Sequence, residues 1–308
     1  MLAAGLAVGA VAGYLGWQTR GNLGFALALR GATAGAMLVA AFAQAVATVV
    51  FHTVTANRIL SPSVMGFDRL FVLMQTVLVT LFGGEILART EGALRLIIQT
   101  LLMAGFATML YRWLFTNSRG GLYRTLLVGL ALGMAFDTIS TFLERLLHPT
   151  DYDLLSLELF GRITAVDAGL LPLSFGVCAA AGIVVWRRRH ILDALLLGRY
   201  LATSIGVDHR RELTIMLMVV ATLVSFSTAL VGPMTFFGFL AATLAYQLAG
   251  THRHAFVLPL AVLLGVIALA GGQFIMQHLF YAAGFLTVII EFVGGIVFLA
   301  ILLGGRKS

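Results

Sequence analysis

Long runs of apolar residues constrain this chain more than any other feature of its sequence. Hydrophobic residues make up 60% of the 308 residues and charged residues only 11%, whereas soluble globular domains carry about 25% charged residues. A membrane-spanning helix needs about 20 predominantly apolar residues. The sequence therefore predicts an all-α polytopic membrane protein. The high apolar content excludes a soluble globular protein and a disordered chain. A disulfide scaffold is excluded because the single cysteine cannot form an internal disulfide bond.

Hydropathy divides the chain into about ten transmembrane segments. Their approximate bounds are 2–17, 31–54, 68–84, 95–115, 122–142, 167–186, 213–232, 234–249, 255–277 and 284–304. No polar stretch between them reaches the ~50 residues that a separate soluble domain requires, so we expect a single membrane domain over residues 1–308. Residues 1–17 lack the basic start of a signal peptide, and a spanning helix is expected there as well.

The basic residues indicate an orientation and exclude one activity. With both termini in the cytoplasm, most of the 20 Lys and Arg residues fall on cytoplasmic loops, as the positive-inside rule requires. This location explains the net charge of +7 without nucleic-acid binding. The only lysine is Lys307, and a phosphate-binding loop needs its lysine inside G-x4-G-K. If ATP drives this protein, a partner hydrolyses it.

One cytoplasmic loop, residues 187–212, is too amphipathic to be a plain connector. Its apolar residues are spaced like those of one or two short helices, which we expect to break at Gly198 and to stop at Gly206. Taken alone, this pattern fits an interfacial helix that lies on anionic lipid. It fits a contact surface for a partner protein equally well.

Two breaks in the apolar pattern indicate weak internal symmetry. The second segment runs into Pro62 and Gly66, the seventh runs into Pro233 and Gly238, and a Phe follows each glycine. In the predicted orientation the first break lies at the cytoplasmic end of its helix and the second at the outer end. An inverted repeat produces this pattern, although Pro and Gly also end unrelated spans.

At these breaks the sequence resembles a known family, the FecCD-type permeases of ABC importers. Residues 57–68 read Asn-Arg-Ile-Leu-Ser-Pro-Ser-Val-Met-Gly-Phe-Asp, which resembles the branch that handles ferric siderophores. Residues 202–207 resemble the coupling segment of that family, and residues 232–239 resemble its G-x-I-x-F-x-G motif. The sequence departs from the pattern at Ala241-Ala242, where Pro-His is usual, and at His52, where Gln is common.

The resemblance implies a fold and a set of partners. It implies a type II ABC importer permease in a bacterial inner (plasma) membrane, paired with a second permease as a homodimer or heterodimer. It also implies ABC ATPase subunits in the cytoplasm and a substrate-binding protein outside. ATP would be bound by the ATPase subunits, and no cofactor is expected in this chain. The substrate would be a ferric siderophore, with another metal chelate such as haem or cobalamin as the alternative.

The resemblance also assigns ATPase coupling to the 187–212 loop. Small residues would let a short helix lie in a groove of the ATPase, and the flanking arginines would pair with acidic residues there. The residues expected to take part are Arg199, Leu201, Ala202, Ser204, Ile205, Gly206 and Arg210.

Two acidic residues lie well inside predicted spans, Asp137 in the fifth and Glu291 in the tenth. A charge there costs ~3 kcal/mol even on the lenient scale and usually faces a cavity or a partner. The helical rise places both at a similar depth. The resemblance implies that these two helices line the translocation path, with Thr138 and Thr141 beside them. The alternatives are structural hydrogen bonds to neighbouring helices and ion coupling in a secondary transporter.

Basic residues of the outer loops are candidates for docking the binding protein. By the resemblance, Arg89, Arg95 and Arg162 would pair with its acidic residues, whereas each alone is an ordinary solvated loop charge. The closest pair of histidines, His252 and His254, has no third ligand nearby in the sequence. The spacing therefore predicts neither a metal site nor a catalytic site.

Overall fold

The computed structural model describes residues 2–16, 23–85, 92–117, 121–159, 163–279 and 286–304. Over these ranges the chain is helical and contains no strand. In chain order, the α-helices whose bounds fall within the described residues are α1 (Leu2–Gly16), α2 (Leu23–Thr55), α3 (Asp68–Phe82), α4 (Ala93–Asn117), α5 (Gly121–Glu144), α6 (Pro149–Leu159), α7 (Leu171–Arg187), α8 (Arg189–Leu195), α9 (Arg199–Ser204), α10 (His209–Val231), α11 (Phe237–Ala249), α12 (His254–Leu279) and α13 (Leu286–Gly304).

Each of the ten segments predicted from hydropathy corresponds to a helix, so the all-α prediction is confirmed. Six helical spans in the described residues are long and apolar enough to cross a membrane, judged by length and composition. They are Arg30–Thr55, Met65–Phe82, Leu127–Glu144, Ala168–Arg187, His209–Val231 and His254–His278. Shorter apolar helices occupy the other four segments, at Leu2–Gly16, Ala93–Phe106, Phe237–Ala249 and Leu286–Ala300.

Helix α2 is the central element of the fold. It packs against α10, α11 and α12, and 89% of its apolar window is buried. Alanine makes this close packing possible, because six alanines of α2 have no exposed surface: Ala36, Ala40, Ala41, Ala43, Ala45 and Ala47. Small side chains let helix backbones approach closely, which is how helices associate in a lipid that is itself apolar.

The other long helices surround α2 and are covered to different degrees. α1 packs on α12, α4 packs on α10, and α3 packs on α5. Only 17% of the apolar window is buried in α5 and likewise in α7. Large uncovered apolar faces mark contacts with lipid or with another subunit, so α5 and α7 form the outer parts of this chain.

A π-helical turn, Ser63–Phe67, precedes α3 and brings the chain close to α5. Gly66 in this turn has a φ of 105°, which glycine adopts without steric cost. A Cβ atom at Gly66 would lie 3.2 Å from Gly133 Cα, so a larger residue would push the turn away from α5. With 15 residues, α3 is only ~22 Å long, shorter than the ~30 Å hydrocarbon core. Together with the π-helical turn it forms the span Met65–Phe82 of 18 residues, which is ~27 Å long.

Candidate functional site

The 187–212 segment forms two short helices, as the sequence predicts. The chain breaks at Gly198, with a φ of 87°, between α8 and α9, and α9 stops before Gly206, with a φ of 88°. The amide of Gly206 donates a hydrogen bond to the carbonyl of Thr203 at 3.0 Å, which closes the end of α9. Because residues with a Cβ rarely adopt such φ values, both breaks follow directly from the two glycines.

Helix α9 presents an apolar face outward. Leu201 is 58% exposed and Ile205 is 61% exposed, although both are large apolar residues. Ala202 is fully buried instead, so its small side chain holds α9 against the rest of the protein. The exposed residues at this face are Arg199, Tyr200, Leu201, Ser204, Ile205, Gly206 and Arg210. Six of the seven predicted coupling residues are therefore exposed, Ala202 is buried, and the coupling role of the set stays a prediction.

A partly buried polar contact connects this segment to two membrane helices. Asp193, on α8, accepts a hydrogen bond from the backbone amide of His254 at 2.9 Å, and its Oδ1 atom lies 2.6 Å from His254 Nδ1. On the other side of the ring, His254 Nε2 lies 2.7 Å from Thr53 Oγ1. Since His254 begins α12 and Thr53 lies near the end of α2, this contact joins α8 to both helices. We call Asp193, His254 and Thr53 the polar link.

The segment has a second connection at its edges. Arg188, at the junction of α7 and α8, forms an ion pair with Glu212 in the first turn of α10. Leu192 and Leu195 of α8 are buried in the main hydrophobic core. The exposed helix α9 is therefore held in place by α8 and Arg188, which contact α2, α7, α10 and α12.

The two breaks in the apolar pattern, at residues 62–66 and 233–238, lie next to each other in the structure. Ser61 Oγ donates a hydrogen bond to the carbonyl of Thr235 at 3.4 Å, and Thr235 Oγ1 donates one to Asp68 Oδ2 at 2.9 Å. These contacts join the segments that follow the two helices, whose ends lie at Thr55 and Val231. The expectation that those ends lie on opposite sides of the membrane, one cytoplasmic and one outer, therefore stays a prediction.

Glu291 belongs to this meeting point. It is half-buried on α13, and its Oε1 atom accepts a hydrogen bond from the backbone amide of Thr235 at 3.4 Å. Thr235 thus lies between two carboxyl groups, because its hydroxyl also donates to the buried Asp68. The contact gives Glu291 the structural hydrogen bond that the sequence left open as an alternative to a place on the translocation path.

Asp137 has different surroundings from Glu291. Asp137, Thr138 and Thr141 are exposed on α5, the helix whose apolar window is among the least buried. The hydroxyl of Thr138 donates to the carbonyl of Met134 at 2.8 Å, within the same helix. The three residues therefore face an open surface of this chain, and their role on a translocation path stays a prediction.

One of the three arginines predicted to dock a binding protein can be located. Arg95 lines a cavity of about 140 Å³ between α3, α4 and α10, together with the buried side chains of Gln75, Gln99 and Thr228. Each of these three has a buried polar atom with no protein partner, so the cavity suits ordered water. Arg89 and Arg162 lie outside the described residues. A docking role for Arg95 stays a prediction.

The polar link was not predicted from the sequence. In the sequence, His254 stands out only as a possible metal-binding pair with His252, but in the structure the two histidines have different partners. His254 contacts Asp193 and Thr53, whereas His252 Nδ1 lies 3.1 Å from a guanidinium nitrogen of Arg58. One signal was available, since Asp193 is the only acidic residue between positions 187 and 207. An acid in a basic segment indicates an internal partner.

Comparison with known proteins identifies relatives along the whole chain. The FecCD transport family matches residues 5–304. The petrobactin import system permease protein FatC of Bacillus anthracis is 38% identical over 88% of this chain and 77% of that protein. The petrobactin import system permease protein YclO of Bacillus subtilis (strain 168) is 36% identical over 100% of this chain and 97% of that protein. The resemblance seen in the motifs is confirmed.

Solved structures show the same fold. A chain from an inward-facing conformation of a metal-chelate type ABC transporter matches with a TM-score of 0.82 at 17% identity, covering 98% of this chain and 97% of that chain. PsaBC from Streptococcus pneumoniae in complex with Fab matches with a TM-score of 0.59 at 18% identity, covering 94% of each chain. The predicted ABC importer permease fold is therefore confirmed.

Proposed function

This chain belongs to the FecCD transport family, and we propose on that premise that it is the transmembrane permease subunit of an ATP-driven ABC importer for ferric siderophores. The chain is a multi-pass membrane protein and a transport subunit. Two petrobactin import permeases are similar to it over 88% and 100% of its length. This similarity supports a ferric siderophore of the petrobactin type as the substrate.

The proposed assembly contains a second permease, a pair of ATPase subunits and a substrate-binding protein. The lack of a G-x4-G-K loop in this sequence supports a separate ATPase. The basic residues of the 187–212 segment support its placement in the cytoplasm of a bacterial cell, with both termini on that side of the inner membrane. The uncovered face of α5 supports a second permease as its neighbour.

The main support for the coupling role is the exposed apolar face of α9, together with the neighbouring helix α8, which is anchored in the hydrophobic core. Leu201 and Ile205 are the apolar contacts that an ATPase groove would cover. Arg199 and Arg210 are exposed beside them and would pair with acidic residues of that groove. A displacement of α9 would reach α2 and α12 through the polar link, and so alter the packing of the helices at the centre of the fold.

The proposed translocation path lies along α5 and α13. Asp137, Thr138 and Thr141 contribute its polar surface on α5. On α13 the proposed path residue is Glu291. Its hydrogen bond with Thr235 connects the path to the breaks in the apolar pattern at residues 62–66 and 233–238. The path would thereby change shape when the breaks move, and ATP hydrolysis in the partner would supply the free energy.

Purification of the tagged chain in mild detergent from its native host tests this proposal. Mass spectrometry of the proteins that co-purify with the wild type should identify an ABC ATPase. The variant Gly206→Trp should lose that ATPase, because the φ of 88° at this position does not suit a residue with a Cβ. A wild-type chain that purifies alone and transports without ATP would overturn the proposal in favour of an ion-coupled transporter.

A further inference from the structure

An apolar groove runs along α7 between α2 and α12. It consists of two adjoining hollows of about 650 and 350 Å³, and both are lined by Phe42, Gly182, Trp186 and Val262. The hollows follow α7 from Phe175 to Trp186, which is about 16 Å along the helix axis. This length is close to half of the ~30 Å hydrocarbon core of a bilayer. The groove can therefore accommodate an extended apolar chain within one leaflet.

The depth of the groove results from small residues on α7. Ala179 and Gly182 line it, and neither projects a large side chain across the gap to α2. At Gly182 a Cβ atom would lie 2.8 Å from Phe42 Cζ, so α7 and α2 touch there. The opening suits an acyl chain better than water, because water would have no polar partners among the apolar lining.

One end of the groove carries a positive charge. Arg187 lines it at the end of α7 and begins a run of three arginines. Arg188 pairs with Glu212, and the guanidinium of Arg189 lies 4.7 Å from the ring centre of Trp186. Among the described residues, no such partner is found for the exposed guanidinium of Arg187. Its charge is therefore available at the mouth of the groove.

We propose that this groove binds an anionic phospholipid, with one acyl chain along α7 and the headgroup phosphate on Arg187. Basic pockets between transmembrane helices at the cytoplasmic face recognise anionic headgroups. Trp186, whose amphipathic ring suits the headgroup level, lines both hollows and directly precedes Arg187 in the chain. The apolar lining selects an acyl chain, and Arg187 selects the anionic headgroup over a zwitterionic one.

Trp186 can report on this lipid directly. The chain has three tryptophans, so substituting Trp17→Phe and Trp113→Phe leaves Trp186 as the only fluorophore of this type. The full-length permease is reconstituted into phosphatidylcholine bilayers that contain increasing fractions of brominated phosphatidylglycerol or brominated phosphatidylcholine. Bromine quenches tryptophan fluorescence on contact. Phosphatidylglycerol should quench Trp186 at about fivefold lower mole fraction, the preference expected from one arginine near the surface.

Matched variants separate the headgroup from the acyl chain. Arg187→Gln should remove the preference for phosphatidylglycerol, whereas Arg145→Gln, an exposed arginine outside the groove lining, should retain it. Ala179→Phe fills the groove and should weaken quenching by both lipids, whereas Ala180→Phe, an exposed neighbour outside the lining, should not. Equal quenching of the wild type by both lipids, or an unchanged preference in Arg187→Gln, would overturn the lipid site. Neither result depends on transport, so neither bears on the proposed function.

Discussion

Asp193 and His254 are joined twice, through one carboxylate oxygen. Asp193 Oδ1 accepts a hydrogen bond from the backbone amide of His254 at 2.9 Å and lies 2.6 Å from its ring Nδ1 atom. His254 is buried at the start of α12, whereas Asp193 lies on the short helix α8. Leaving a buried polar group unpaired costs ~1–3 kcal/mol. The pair therefore holds α8 in place against α12.

Asp193→Asn should uncouple ATP hydrolysis from transport. The substitution removes the charged acceptor that joins α8 to α12, and Thr53 remains in place on the other side of the ring. We expect uptake by the reconstituted complex to fall roughly tenfold, within the usual range of coupling free energies, while the ATPase still binds.

The control for this prediction is His148→Ala. The ring of His148 contacts only Thr150 among the described hydrogen bonds, and both residues are exposed. This variant should transport like the wild type. Wild-type uptake by Asp193→Asn would show that the polar link does not transmit the movement of α8.

Gly206→Ala should weaken ATPase binding through the backbone alone. No atom lies within 4 Å of a Cβ placed at Gly206, but the φ there is 88°, and that conformation costs a residue with a Cβ about 1–2 kcal/mol. The amount of ATPase recovered with the tagged chain measures the effect. Gly176→Ala, also with free space for a Cβ but inside α7, should leave recovery unchanged. Equal recovery from both variants would contradict the prediction.

Leu201→Asp and Ala202→Asp should fail in different ways. Leu201 is exposed, so its aspartate variant should fold and reach the membrane but lose the ATPase. Ala202 is fully buried, and an unpaired charge there costs several kcal/mol, so its variant should not accumulate as folded protein. Membrane abundance and ATPase co-purification separate the two effects. Retention of the ATPase by Leu201→Asp would exclude α9 as the contact surface.

Local features of the fold could be predicted from the sequence because they depend on nearby residues. The ten helices follow from apolar runs, and the break at Gly198 and the stop at Gly206 follow from glycine among apolar residues at helical spacing. The identity of the family follows from short motifs at positions 57–68 and 202–207.

Contacts between distant segments could not be predicted in the same way. Thr235 and Asp68 are 167 positions apart, and no periodicity in either segment indicates that they meet. For the same reason the polar link was missed, since Thr53 and His254 are 201 positions apart. Helical rise gave Asp137 and Glu291 a common depth, but rise along one helix does not determine which neighbouring helix covers a residue. Their different surroundings depend on packing.

Thr235→Val should destabilise the permease. The variant leaves the buried carboxyl of Asp68 without the hydroxyl donor at 2.9 Å, at a cost of ~1–3 kcal/mol. The unfolding temperature in detergent should fall, and Thr235→Ser, which keeps the hydroxyl, should recover most of the loss. Thr222→Val is the control, because the Thr222 hydroxyl bonds only within its own helix, to Met218. An unfolding temperature equal to the wild type in Thr235→Val would exclude a stabilising role for this contact.

Thr141→Cys should react with a charged thiol reagent if the exposed face of α5 lines an aqueous path. The natural Cys178 is buried and can be replaced by alanine to give a background without thiols. Ala180→Cys lies on the exposed side of α7 and should react far more slowly, because lipid excludes the charged reagent. Similar reaction rates at both positions would contradict the assignment of the path to α5.

Uptake of a radiolabelled ferric siderophore into proteoliposomes tests the central proposal most directly. The vesicles would contain the permease with its co-purified ATPase, and the binding protein would be added outside. We predict that uptake requires ATP at the ATPase side and falls together with ATPase recovery in Gly206→Trp. Uptake that proceeds without ATP, and that instead requires Asp137 or Glu291 together with an ion gradient, would contradict the account.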